Sequence, residues 1–95
     1  MSKAVARLGD SCAGHCFNPR GNNEASPNVF VNGIAAHRVG DGWPSHTCGL
    51  KSHGSVTSEG SSTVFVNGVA LARIADSLDC GDVISEGSPN VFCGG

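Results

Sequence analysis

A block of eight residues occurs three times in this chain, and that repetition restricts the available folds more than any other feature. Ser26-Pro27-Asn28-Val29-Phe30-Val31-Asn32-Gly33 returns as Ser61-Ser62-Thr63-Val64-Phe65-Val66-Asn67-Gly68, and again as Ser88-Pro89-Asn90-Val91-Phe92-Cys93-Gly94-Gly95. A second block follows the first two copies. Ala35-Ala36-His37-Arg38-Val39-Gly40-Asp41 corresponds to Ala70-Leu71-Ala72-Arg73-Ile74-Ala75-Asp76, and both correspond to Ala4-Val5-Ala6-Arg7-Leu8-Gly9-Asp10. The chain therefore holds two complete units and a third whose halves lie at its two ends. Pairing the N- and C-terminal strands would complete the third unit, close a three-unit ring and leave fewer open strand edges. Fifteen positions separate Ser26 from Asp41, and fifteen separate Ser61 from Asp76. The connectors differ: Asp10 to Ser26 is 16 positions, Asp41 to Ser61 is 20, and Asp76 to Ser88 is 12.

Each unit reads as a β-hairpin. Val-Phe-Val is β-branched and aromatic, and the Asn-Gly that follows is the preferred type I′ turn, because both central residues need positive φ. Return strands are expected over Ile34 to Val39 and Val69 to Ile74, with turns out of them at Gly9-Asp10 and Gly40-Asp41. No stretch keeps a 3.6-residue apolar period, so the expectation is an all-β fold with little or no helix. Alternation puts Val29 and Val31 on one strand face and Phe30 on the other, and the same holds for Val64, Val66 and Phe65. Both faces are apolar; one can be hidden in the core, and the other is packed or offered to a partner.

The length of 95 residues is that of one domain, 1–95. Charged residues are 15% and the formal net charge is −2, which leaves no electrostatic footprint for nucleic acid or an anionic membrane. No apolar run is long enough for a transmembrane helix. The first residues, Met1 to Arg7, contain no apolar signal region, so synthesis in the cytoplasm without a signal peptide is expected. With four Phe, one Trp and no Tyr, the core must be thin, and small domains of this kind commonly need a metal, a disulfide or a partner.

Five Cys and four His are dense for this length, and most lie in the connectors. Cys12, His15 and Cys16 are in the first connector, His46, Cys48 and His53 in the second, and Cys80 in the third. If the connectors converge at one end of the ring, a single Zn²⁺ could draw four ligands from them and close a structural site. His15, His46, His53 and Cys80 form one such set; Cys12, Cys16 and Cys48 are competing thiols. Cys12-x3-Cys16 resembles half a zinc-ribbon knuckle, but Cys48 and Cys80 have no close Cys neighbour to complete a second half.

The registered repeats, with Ala35-Ala36-His37-Arg38 and Ala70-Leu71-Ala72-Arg73 after each Asn-Gly, resemble the PAAR-repeat proteins, named for a Pro-Ala-Ala-Arg form of this block. The leading Pro is absent from both copies here. The resemblance covers the whole chain. It implies a small β-rich cone with a zinc near its tip, seated on the blunt end of a homotrimeric β-helical spike. That spike belongs to a contractile phage tail or a type VI secretion system, and the tip meets the target envelope only transiently. The mature location implied is thus the virion tail tip or the secreted spike tip. The resemblance also implies that His15, His46, His53 and Cys80 are the zinc ligands. The implied role is mechanical: a structural tip that sharpens the spike for membrane piercing, and no enzyme. An alternative is an adaptor that recruits a separate effector to a type VI spike.

The remaining polar residues have plainer readings. Arg7, Arg38 and Arg73 recur with Asp10, Asp41 and Asp76 and suit ion pairs. Glu24, Glu59 and Glu86 recur two positions before each Ser block and look structural, so no general base for a zinc hydrolase stands out. His37 takes an Ala position of the repeat and is expected on a strand surface. Cys93 takes a Val position and is expected to be buried. Trp43 is expected to pack a loop.

Overall fold

A computed structural model describes residues 2–14, 19–48 and 51–94, with residues 46–48 and 51–53 described through their backbone alone. The described residues form short antiparallel hairpins with no helix. In chain order the strands are β1 (Lys3–Ala4), β2 (Phe30–Val31), β3 (Ile34–Ala35), β4 (Gly42–Cys48), β5 (Lys51–Val56), β6 (Phe65–Val66), β7 (Val69–Ala70) and β8 (Phe92–Cys93).

The hairpins appear where the repeat places them. β2 pairs with β3 in the register Phe30↔Ala35 and Val31↔Ile34, and β6 pairs with β7 as Phe65↔Ala70 and Val66↔Val69. β1 and β8, from opposite ends of the chain, pair in the matching register, Ala4↔Phe92 and Lys3↔Cys93. The turns have the expected chemistry: φ is +56° at both Asn32 and Asn67, +77° at Gly33 and +80° at Gly68. Two positive φ values in succession define the type I′ turn, whose twist matches that of the strands it joins.

The return strands are shorter than expected. Each pairs with its own hairpin partner for two residues, then turns across to a neighbouring unit. Arg7 bridges Ala36, Arg38 bridges Leu71, and Arg73 bridges Val5. Every unit therefore donates its return segment to the next in a closed cycle. At the centre, Ala6 N–H donates to the Ala72 carbonyl, Ala72 N–H to His37, and His37 N–H to Ala6, at 3.0–3.1 Å. A two-residue ladder is too weak to stand alone. The switch of partner satisfies backbone groups that a longer private hairpin would have used.

The Ser and Asn side chains carry the same cycle. The Ser26 hydroxyl donates to Asn67 Oδ1 and that of Ser88 to Asn32 Oδ1, both at 2.6 Å; the Ser61 hydroxyl donates to the Gly94 carbonyl at 2.8 Å. A main-chain carbonyl thus takes the place of the Asn side chain that the third unit lacks. Each Ser Oγ also accepts from the N–H groups two and three residues on, which shapes the entry to its strand.

Alternation along the return segments divides the core into two layers. Val5, Ala36 and Leu71 pack with Val66 and Cys93 on the hairpin side. Ala6 and Ala72 pack with Cys12, Trp43, Leu78 and Ile84 on the connector side. Cys93 is buried as expected, and burial raises the pKa of its thiol.

The turn that ends each return segment needs a left-handed residue. Gly9 and Gly40 occupy it in two units with φ near +90°; Ala75 occupies it in the third at φ +76°. A side chain in this region costs roughly 1–2 kcal/mol. Ala75→Gly should accordingly stabilise the protein by about 1 kcal/mol, seen as a higher urea midpoint with an unchanged m-value.

Candidate functional site

The three connectors lie against one another. In the first, Cys12 bridges Ile84 of the third, Ala13 N–H donates to the Val83 carbonyl at 2.9 Å, and Gly14 N–H donates to Asp82 Oδ2 at 3.0 Å. The third in turn meets the second, where Thr57 bridges Leu78 and Asp79 N–H donates to the Val56 carbonyl at 3.0 Å. The start of the second meets the segment before Ser26, because Asn23 N–H donates to the Gly42 carbonyl at 3.2 Å. Glu24, Glu59 and Glu86 fix these junctions. Their carboxylates accept from the N–H of Gly42, Ser77 and Ser11, each the residue just after a repeat Asp, at 2.7–3.1 Å. They are structural, as the repeat suggested.

The second connector contains the longest strands of the fold, a hairpin formed by β4 and β5. From the repeat alone this stretch is a connector with no strand of its own. Gly42-Trp43-Pro44-Ser45-His46-Thr47-Cys48 lacks β-branched alternation, and its Pro44 argues against a strand. The ladder accommodates the proline at a register irregularity between Trp43 and His46. Beyond that irregularity, His46 stands directly opposite His53, Thr47 opposite Ser52, and Cys48 opposite Lys51.

Of the four expected zinc ligands, His15 lies outside the described residues, as does the competing Cys16. His46 and His53 are placed by their backbones, on facing positions of one hairpin, and Cys48 likewise. Cys80 is described fully. It sits in the turn closed by the Gly81 N–H to Leu78 carbonyl bond, is partly exposed, and packs against the connector-side core. Nearby, the Ser55 hydroxyl, two residues from His53, is buried without a hydrogen-bond partner among the described residues. Among the described residues no three His, Cys, Asp or Glu side chains are grouped to hold an ion. The backbone brings the second connector's His pair and Cys80 to adjoining segments, and Gly14 of the first connector reaches the third through Asp82. A donor set of three imidazoles and one thiolate is the chemistry a tetrahedral Zn²⁺ takes.

Cys12 is a core residue. It is fully buried, its Sγ accepts from Arg20 N–H at 3.4 Å, and burial followed by a hydrogen bond to Asp82 raises its pKa. A metal ligand must be a thiolate, so this environment opposes ligation.

His37 is the main departure from the sequence reading. It is fully buried (0% exposed) and its ring meets Trp43 edge-on, with centroids 5.4 Å apart. The available signal was the repeat: Ala6 and Ala72 hold the equivalent positions, and small residues there mark an interior face. Trp43 packs in the core beside it and donates from Nε1 to Thr57 Oγ1 at 2.9 Å.

The three hairpin units carry the other notable surface. Phe30, Phe65 and Phe92 are 58%, 57% and 56% exposed, while Val66 and Cys93, the next residues of two of these strands, are buried. The two apolar faces of the Val-Phe strands are thus told apart: Val31, Val66 and Cys93 pack inward and the phenylalanines face solvent. Val29, Ile34 and Val64 extend the exposed apolar surface.

Comparison with curated proteins returned no significant match. The PAAR motif family matches residues 22–86 and again residues 52–95. With most of its length covered, this chain belongs to the PAAR-motif family.

Proposed function

We propose that this protein caps the blunt end of a homotrimeric β-helical spike and gives it a point. The spike would be that of a contractile phage tail or a type VI secretion system. The observation that carries the reading is the set of three phenylalanines at equivalent repeat positions, exposed to the same degree. Three equal apolar contacts suit a partner that presents the same surface three times. Aromatic side chains left more than half exposed gain most from being covered, at about 25 cal/mol per Å² of apolar area removed from water.

The other end of the cap is the connector cluster. Bound there, zinc would supply closed coordination that ties the segments of His15, His46, His53 and Cys80 together where the apolar core is thin. The chain's own contribution to stiffness is its cyclic hydrogen bonding and three Arg–Asp pairs, which leave no unit free to open alone. The role is mechanical, a hard point that meets the target envelope in passing, and needs no catalysis.

The test is binding to a trimeric spike fragment, with mass measured by light scattering. One cap per trimer is expected. Single changes Phe30→Ser, Phe65→Ser and Phe92→Ser should each weaken binding by roughly tenfold or more, and the triple variant should abolish it. The three are solvent-exposed, so the variants should keep the wild-type Trp43 fluorescence. Undiminished binding by the triple variant, or three caps per trimer, would overturn the reading.

A further inference from the structure

Among the described residues, His37 puts a titratable ring at the centre of the cycle, among the backbone bonds that join Ala6, His37 and Ala72. Its Nδ1 lies 2.7 Å from the Glu24 carbonyl oxygen and its Nε2 lies 2.7 Å from Thr57 Oγ1. The carbonyl can only accept, so Nδ1 carries the proton. In the neutral ring Nε2 is then the acceptor, and the Thr57 hydroxyl, which accepts from Trp43 Nε1, donates to it. The neutral Nδ1–H tautomer satisfies every donor and acceptor in this set. It also links three segments: the residues before Ser26 through Glu24, the start of β4 through Trp43, and the residue after β5 through Thr57.

We propose that His37 is a proton-sensitive latch that holds the base of the β4–β5 hairpin to the centre of the fold. Adding a proton to Nε2 sets N–H against the Thr57 hydroxyl, which can keep its contact with the ring only as an acceptor, its own proton turned away from the Nε2 that now takes it. It also places a charge where no solvent reaches. The charged groups around the ring do not offset this. Asp41 is held by Arg38, and Asp10 by Arg7. Glu24 presents its carbonyl to the ring, while its carboxylate accepts from Gly42 N–H. Desolvation accordingly lowers the His37 pKa, with Arg38 adding to it and the Glu24 carbonyl, Asp41 and Asp10 opposing. The sign follows. Below about pH 6.5 the unfolded chain takes the proton first, so stability is full above that pH and falls as the pH drops toward the folded pKa. The released element is β4–β5, because Thr57 and Trp43 lie at its two feet. The latch is independent of what the cap docks on.

The experiment uses the full chain as purified. Ring NMR should show His37 still in the neutral Nδ1–H form below about pH 6.5, where a free imidazole is protonated. The unfolding constant, read by urea titration of Trp43 fluorescence, should rise with acid by up to about tenfold per pH unit from this one group. His37→Ala, which restores the residue of the two sister units, and His37→Gln, which keeps a donor and an acceptor, should both lose that share of the slope. The other histidines contribute equally to all three proteins, so the difference isolates His37. Amide exchange at pH 5, corrected for intrinsic rates, should accelerate at Gly42, Trp43 and Val56 before it does in β6–β7. A His37 ring that titrates near pH 6.5, or a slope unchanged in both variants, overturns the latch; spike binding is read separately and does not bear on it.

Discussion

Asp76→Ala should destabilise the protein by about 3–5 kcal/mol, well beyond the same change at Asp10 or Asp41. All three aspartates do the same work. Each accepts from the main-chain N–H of the arginine three residues earlier and from its guanidinium in a two-point contact at 2.8–3.2 Å. They differ in burial. The Arg73 and Asp76 side chains are 5% and 0% exposed, whereas the other two arginines keep 14–16% of their side-chain surface in water. Removing Asp76 strands a guanidinium and a backbone N–H in the interior, and the penalty is that of an uncompensated buried charge. Removing Asp10 or Asp41 lets solvent recover part of the loss, so about 1–3 kcal/mol is expected there. Urea unfolding of the three variants, followed by Trp43 fluorescence, checks the order. Equal losses at the three sites would show that burial does not set the cost. In a domain this small the larger figure removes much of the total stability, so Asp76→Ala should unfold before physiological temperature is far exceeded.

Metal removal is the second large effect. The purified protein should hold about one zinc per chain, and chelation should lower its thermal midpoint by more than about 10 °C, because structural zinc binding adds directly to folding free energy. His15→Ala, His46→Ala, His53→Ala and Cys80→Ser should each lose the metal. Cys12→Ser makes the informative contrast. It puts a hydroxyl into the connector-side core and should cost stability while the zinc content stays at one. Cys48→Ser should retain zinc as well. Protein that carries no metal by elemental analysis, with full stability, would sink the zinc assignment and leave the docking proposal standing.

Some of this molecule can be read from residues alone because the physics is local. Asn32-Gly33 and Asn67-Gly68 dictate their own turn, since few other pairs accept two positive φ values in succession. The alternation of Val and Phe makes the two faces of each strand different. The identity of the three units also required the termini to meet, and Lys3 pairs with Cys93. The β4–β5 hairpin was not legible. Trp43-Pro44 reads as a break, and only the pairing of β4 with β5 around an irregular register makes a strand of it.

What the sequence by itself determined is thus the unit: its turn, its register, its alternation and its cyclic closure, all set by neighbours a few residues apart or by the repetition of the block. Tertiary structure decided what covers each face. The return segments leave their own hairpins after two residues because a neighbouring unit offers the unpaired backbone groups a partner. That crossing turns His37 into the interior, where a period-two pattern could place it on a face but could not say that Trp43 and Thr57 would close over it. The same crossing leaves Phe30, Phe65 and Phe92 outside, because the inner layer is already filled by the valines and Cys93 of the same strands.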